Sequence, residues 1–284
     1  MLRAKKPELV EKRLKALFYG QSGAGKTTAA IQFPRPYLID TERGAENKSY
    51  VELLNKAGGV IFQTSNFAEL KQEVLSLLTE QHEYKTLIID PLTIIYNDLI
   101  DIAGADEAIG TGFGRHVQHA NTQIKSLLNL LLRLDMNVII TSHSKTEYGD
   151  KLVKLGETYD CYKKLDYLFD LVFEVQKRGE KRVGVVKKSR LEAFHEFDVF
   201  PFCYDEIANR YGRDVLERDA VPEILADPAQ VAELTRLVDL LKIPTEDTDK
   251  WLAKAHAESF ADMKGVDVQK CIDYLEKLIK GETK

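Results

Sequence analysis

The stretch from Tyr19 to Thr28, YGQSGAGKTT, constrains this 284-residue chain more than any other. It follows the apolar run Leu14 to Phe18 and leads into AAIQF, so it stands where a strand gives way to a helix. Gly20, Gly25, Lys26 and Thr27 satisfy G-x-x-x-x-G-K-[ST], and Gly23 adds flexibility in the middle. In such a P-loop the glycines let backbone N–H groups turn inward on phosphate oxygens, and the helix starting near Gly25 points its positive end at the same charge. Lys26 reaches the outer phosphates, and the Thr27 hydroxyl ligates Mg2+. The residues expected to hold ATP are Gly20, Gln21, Ser22, Gly23, Ala24, Gly25, Lys26, Thr27 and Thr28.

A nucleotide site needs a second anchor for its metal. KTLIID, Lys85 to Asp90, is a short apolar strand ending in a carboxylate, which makes Asp90 the expected Mg2+ partner of Thr27. Pro91 follows it, where many ring-forming ATPases carry a glutamate, so a base for hydrolysis must come from elsewhere. YLIDTE, Tyr37 to Glu42, brings Asp40 and Glu42 to the carboxyl end of another strand, the edge at which parallel sheets bind ligands. Period-two alternation would point the two carboxylates the same way if the strand runs that far. VIITSH, Val138 to His143, ends in polar residues able to feel a γ-phosphate, with His143 the candidate sensor.

The order P-loop, LIDTE, LIID, VIITSH resembles the RecA-type ATPase core, and in particular the small RecA-like ATPases of bacteriophages that include the Sak-type recombinases. The resemblance covers roughly residues 12 to 205. It implies an α/β fold with a mostly parallel central sheet flanked by helices. It also implies Glu42 as catalytic base, with Asp40 the next candidate, Asp90 as the Mg2+ carboxylate and His143 as the γ-phosphate sensor. The location implied is the cytoplasm of a bacterial host cell.

DLVFEVQKRGEKRVGVVKKSRL, Asp170 to Leu191, reads as a β-hairpin around a turn at KRGEK. From Lys177 to Arg190 it holds seven basic residues against one acidic. RecA-like hexameric helicases send a Lys-x-Arg pair from a corresponding strand into the neighbouring subunit's site, and Lys188 and Arg190 have that spacing. The resemblance therefore implies a homo-oligomer, ring or filament. GADEAIGTGFGRH is too rich in glycine for a stable element and is expected to be a mobile loop. SKTEYGDKLVKLGETYDCYKK lies where RecA-type proteins put a DNA-binding loop. Its Lys145, Tyr148, Lys151 and Lys154 are the residues expected to track phosphates and stack on bases of single-stranded DNA. Five lysines there face four acids, so charge alone does not choose DNA over protein.

Beyond about Tyr211 the chain changes character. DPAQVAELTRLVDLLKIP sets Val231, Leu234, Leu237, Val238 and Leu241 on one helical face, with Asp227 or Pro228 as a start signal and Pro244 as a stop. Two further amphipathic segments follow. The expected division is a RecA-like ATPase domain over 1–210 and a C-terminal helical module over 211–284. Nine basic and thirteen acidic residues from Val221 onward favour a protein partner or an oligomer contact over nucleic acid, and the resemblance implies a recombination or replication protein as that partner.

Composition bounds the rest. An apolar fraction of 44% with 30% charged residues suits a chain with a sizeable core. No apolar run approaches the ~18 residues of a membrane span, and the basic start MLRAKKPELVEKR lacks the apolar stretch of a signal peptide. Cys161, Cys203 and Cys271 lack the spacing of a zinc site or disulfide framework. The function expected is a DNA-dependent ATPase of phage recombination or replication. The alternatives are a P-loop kinase of a small molecule, for which GTGFGRH would supply the lid arginine, and a nucleotide switch that loads a partner.

Overall fold

Strands covered on both faces need apolar side chains at successive positions, and the central strands of this protein have them. The structure, a computed structural model, describes residues 11–44, 46–148 and 154–280. Among these residues nine strands form one sheet: β1 (Lys15–Gly20), β2 (Pro36–Asp40), β3 (Val60–Gln63), β4 (Thr86–Asp90), β5 (Asn137–Tyr148), β6 (Lys154–Tyr159), β7 (Leu171–Arg178), β8 (Lys181–Ser189) and β9 (Val199–Pro201). Their order is β3-β2-β4-β5-β1-β7-β8-β9, with β6 paired to the far end of β5. The strands from β3 to β7 run parallel, and β8, β9 and β6 are antiparallel additions.

Alternation divides the core in two. Leu17, Tyr19, Ile39, Leu87, Ile89, Val138 and Ile140 pack on one face against α3 (Phe67–Thr79), α4 (Leu92–Ala105) and α5 (Arg115–Arg133). Ala16, Phe18, Leu38, Ile88, Ile139 and Phe173 pack on the other, against α1 (Lys26–Ala30), α2 (Lys48–Ala57), α6 (Tyr204–Tyr211) and α7 (Arg213–Glu217). Behind the P-loop strand, Phe18 meets Phe202 edge-on at 4.8 Å and Phe173 at 5.8 Å. Each such buried side chain contributes on the order of 2 kcal/mol of transfer free energy, so β1 is held rigidly where it ends. A mostly parallel sheet with helices on both faces, and one strand set between the P-loop strand and the strand ending in Asp90, is the RecA-like P-loop NTPase architecture.

Lys15 opens β1 inside this core. Its Nζ donates to the carbonyls of Leu131 (2.9 Å), Leu134 (2.9 Å) and Met136 (3.0 Å), closing the C-terminal end of α5. Burial pushes its ammonium down to about 7 from the ordinary 10.5, against the favourable field of Asp135.

The strand through Tyr37, which by sequence could end at Asp40 or run to Glu42, ends at Asp40, because the buried Asp40 carboxylate accepts from Glu42 N (3.2 Å) and Gly44 N (3.3 Å) and turns the chain. One segment differs from its sequence reading. The segment after His143, expected as a loop, continues β5 as far as Tyr148 and pairs with β6, Ser144 opposite Tyr159 and Tyr148 opposite Lys154. Lysines and polar side chains read as loop, but a two-stranded ladder needs only backbone partners. By contrast, β7 and β8 form the expected hairpin, with Gly179 and Glu180 between Arg178 and Lys181.

The C-terminal region is helical. α8 (Pro228–Leu240) starts with an Asp227–Gln230 capping box and is followed by α9 (Thr245–Ala255) and α10 (Gly265–Ile279). They enclose a small core of Leu234, Leu237, Met263, Val268, Ile272 and Leu275, whereas Leu216 on α7 belongs to the large core. Buried Glu223 ties the two together, pairing with Arg133 (2.7 Å) and Lys264 (2.9 Å).

Candidate functional site

The P-loop hangs from the end of β1 under tight steric control. A Cβ on Gly20 would stand 2.2 Å from the carbonyl oxygen of Val175 on β7, so only glycine lets the chain leave the sheet there. Gly25, at φ +99°, caps α1 without a side-chain hydrogen bond. Between them Ala24 N donates to Gln21 O (3.2 Å), and Gln21 Nε2 donates to Glu157 (2.6 Å). Ser22 and Gly23 are exposed, and Thr28 is half-buried on α1.

Lys26 is buried and folded back into the loop, its Nζ donating to Gly20 O (2.8 Å) and Gln21 O (3.1 Å). Desolvation lowers its pKa, opposed by the charges of Asp90 and Glu42. A buried ammonium bonded only to neutral carbonyls is suited to exchange them for phosphate oxygens.

Asp90 lies across from the loop. Thr27 Oγ1 donates to its Oδ2 (2.6 Å), and Thr141 Oγ1 on β5 donates to its Oδ1. Burial raises the Asp90 pKa, while the two hydroxyls and Lys26 act in the opposite direction. Among the described residues no group of three or more His, Cys, Asp or Glu side chains could hold a metal. One hydroxyl and one carboxylate nevertheless fit Mg2+, which keeps several waters and takes its remaining oxygens from phosphate.

The base and sensor candidates come together. Beyond the Asp40 turn, Glu42 Oε1 lies 2.9 Å from His143 Nε2. Register explains the meeting. Asp40 pairs with Asp90 on one side of β4, and Ile89 pairs with Ile140 on the other, so β2, β4 and β5 end at one level. Thr41 fastens the turn by donating from Oγ1 to Pro91 O (2.8 Å). His143 N donates to Thr93 Oγ1 (3.0 Å), which in turn meets Ser142 Oγ (3.0 Å). Thr141 and Ser142 are the polar residues that end the apolar part of VIITSH, where a buried polar group needs a partner. Thr93, on α4, has no such signal in the sequence.

Other expected residues lie elsewhere. Lys188 and Arg190 stand at the opposite end of the sheet from the P-loop, since Ser189 pairs with Leu171 and Leu171 with Ala16 near the start of β1. Lys188 Nζ donates to the carbonyls of Asp166 and Phe169, and Arg190 donates to Tyr167 O (2.7 Å) and Asp170 Oδ1 (3.3 Å). Lys145 pairs with Asp160 (2.9 Å) beside the end of β6. Tyr148 and Lys154 are backbone register partners in the β5–β6 ladder, and Lys151 lies outside the described residues. No helix among the described residues is long and apolar enough to cross a membrane.

Two solved structures align with the chain at low identity. The RadB recombinase aligns with a TM-score of 0.44 at 18% identity, covering 66% of this chain and 84% of its own. A prototypical ATPase from the type III secretion system of pathogenic bacteria aligns with a TM-score of 0.44 at 14% identity, covering 97% and 89%. No curated protein matches. An AAA domain family matches residues 12–193, which include the P-loop, Asp90 and the strand ending in His143, and the chain belongs to that family of P-loop ATPases.

Proposed function

We propose that this protein is an ATPase that works as a homo-oligomer on single-stranded DNA in bacteriophage recombination or replication, with Glu42 as its base and His143 as its γ-phosphate sensor. The observation that carries the reading is the 2.9 Å contact between these two side chains. It joins a carboxylate able to activate water to the strand that continues into the β5–β6 hairpin.

On ATP entry Lys26 leaves the Gly20 and Gln21 carbonyls for the outer phosphates. Mg2+, held by Thr27 and Asp90, would neutralise charge on those phosphates. His143, drawn to the γ-phosphate, releases Glu42. Glu42 then takes a proton from a water whose oxygen bonds to the γ-phosphorus, as the bond to the β,γ-bridging oxygen breaks and its electron pair leaves with ADP. A positioned base of this kind is worth ~100-fold or more. Lys188 and Arg190, remote from the P-loop of their own chain, serve the site of a neighbour once Lys188 releases the carbonyls of Asp166 and Phe169 and Arg190 releases Tyr167 and Asp170. Lys145, Lys151 and Lys154 with Tyr148 supply the DNA contacts, and the acidic C-terminal helices dock a recombination or replication protein.

ATP turnover with and without single-stranded DNA, measured beside solution mass, tests the reading. Stimulation by DNA, an oligomer, and a salt slope of DNA affinity that flattens in the Lys145→Ala, Lys151→Ala, Lys154→Ala triple variant are expected. No DNA binding by the ATP-loaded protein would overturn the DNA role and leave a nucleotide-switch loader or a small-molecule kinase.

A further inference from the structure

Arg182, on β8, has no part in the chemistry above, yet it lies on the P-loop. A Cβ built on Gly25 would stand 2.3 Å from Arg182 Cδ and 2.4 Å from its Nε, so the arginine stem lies across the face of the glycine that precedes Lys26. The backbone beneath it is pinned on both sides. Arg182 pairs with Lys177 across the hairpin, and its carbonyl accepts from Phe202 N (3.0 Å). Other basic side chains of the hairpin are engaged: Arg178 with Gln176, Lys187 with Glu174, Arg190 with Asp170. The Arg182 guanidinium has no hydrogen-bond or ion-pair partner among the described residues, although it is held against a loop whose chemistry is anion binding.

We propose that Arg182 is a phosphate ligand of its own subunit's nucleotide, donating to non-bridging oxygens of the α- and β-phosphates. Sheet order decides which phosphates. Glu42, Asp90 and His143 all approach from the β2-β4-β5 side, where the γ-phosphate must lie for Glu42 to reach the attacking water. Arg182 approaches from two strands beyond β1 on the other side, towards the part of the nucleotide that ADP and ATP share. A planar guanidinium suits this task, because its fork matches two phosphate oxygens at once where an ammonium offers a point charge. Gly25 is then required twice, for its positive φ and for the space in which the arginine lies. The inference rests on the P-loop reading of residues 20–28.

Titration of the full-length protein with Mg-ADP by calorimetry tests it without any turnover. Arg182→Ala should weaken ADP and a non-hydrolysable ATP analogue by a similar factor, about tenfold or more for a hydrogen bond to a charged group. Arg182→Lys should recover part of the loss. Lys181→Ala, the neighbouring exposed cation, should bind as the parent does, which separates a specific ligand from a general field. ADP affinity unchanged within about twofold in Arg182→Ala would overturn the proposal, as would a loss confined to the ATP analogue. Lys26→Ala serves as the reference. If it too binds ADP normally, the P-loop reading fails; if it loses ADP while Arg182→Ala does not, only the role of Arg182 fails.

Discussion

Lys15 gives the protein a pH dependence of stability whose sign and size follow from its surroundings. In the unfolded chain its ammonium titrates near 10.5, and in the folded chain burial brings this to about 7. Below about pH 7 both states carry the proton and the cost of burying the charge is present in full. At about 1.4 kcal/mol per decade, the gap between 10.5 and about 7 sets that cost at about 5 kcal/mol. As pH rises through the folded pKa, the folded chain loses the proton while the unfolded chain keeps it, so unfolding must take one up. Stability therefore rises with pH between about 7 and 10.5, with a slope approaching about 1.4 kcal/mol per pH unit. Near the top of that window other groups act the opposite way, since burial pushes the Cys161 thiol up to about 12 and raises Tyr19, Tyr37 and Tyr159 further.

Urea unfolding from pH 7 to 9, compared between the parent and Lys15→Met, isolates the lysine because the remaining groups are common to both. Methionine leaves the carbonyls of Leu131, Leu134 and Met136 without their donor, so the variant's absolute stability also changes. That offset does not depend on pH, and only the difference in slope is read. The parent should gain about 2 kcal/mol relative to Lys15→Met over the two pH units. Parallel pH profiles would show that the three carbonyls and Asp135 hold the proton on Lys15 in the folded chain, and the argument from burial would fail.

Two further outcomes concern the chemistry. Glu42→Gln should bind ATP and lose ~100-fold or more in turnover, whereas Lys26→Ala should lose nucleotide affinity itself; normal hydrolysis by Glu42→Gln would move the base to Asp40. Arg190→Ala mixed with Lys26→Ala should regain part of the activity each lacks, because some interfaces then join an intact P-loop to an intact finger worth ~1000-fold or more; demonstrated co-assembly without rescue would leave Lys188 and Arg190 as a basic surface.

The parts of the fold that could be read in the sequence are those written in neighbouring residues. A P-loop is ten consecutive residues, the β7–β8 hairpin declares itself by two alternating runs around KRGEK, and α8 announces its start with Asp227 and Pro228. The reading weakened where tertiary context decides. The strand through Tyr37 could run to Glu42 by alternation, and what stops it is Asp40 bonding to Glu42 N and Gly44 N, a turn invisible to periodicity. The segment from Ser144 to Tyr159 looked like a loop because its composition is polar, and backbone pairing made it a ladder. The site shows the same division. Lys26 and Asp90 could be named singly, but the meeting of Glu42 with His143 depends on the register of β2, β4 and β5. Arg182 was one of seven basic residues in its hairpin until the fold laid it on Gly25.

What the topology adds is a reason for β5 to stand where it does. It lies between β1, which ends in the P-loop, and β4, which ends in Asp90, so one strand borders both. Thr141 donates to Asp90, Ser142 meets Thr93, and His143 meets Glu42, three consecutive residues on three separate elements. The next residues carry β5 beyond the parallel strands into the hairpin with β6, where Asp160 N donates to His143 O (2.8 Å) and Lys145 pairs with Asp160. In the sensor role proposed for His143, a change at the γ-phosphate would reach the hairpin through two covalently adjacent residues and one hydrogen bond. Such a path is short enough that the hairpin need not move independently of the strand, and whatever binds there would sense the nucleotide directly. By thermodynamic reciprocity the same ligand would change the affinity of the P-loop for ATP over ADP.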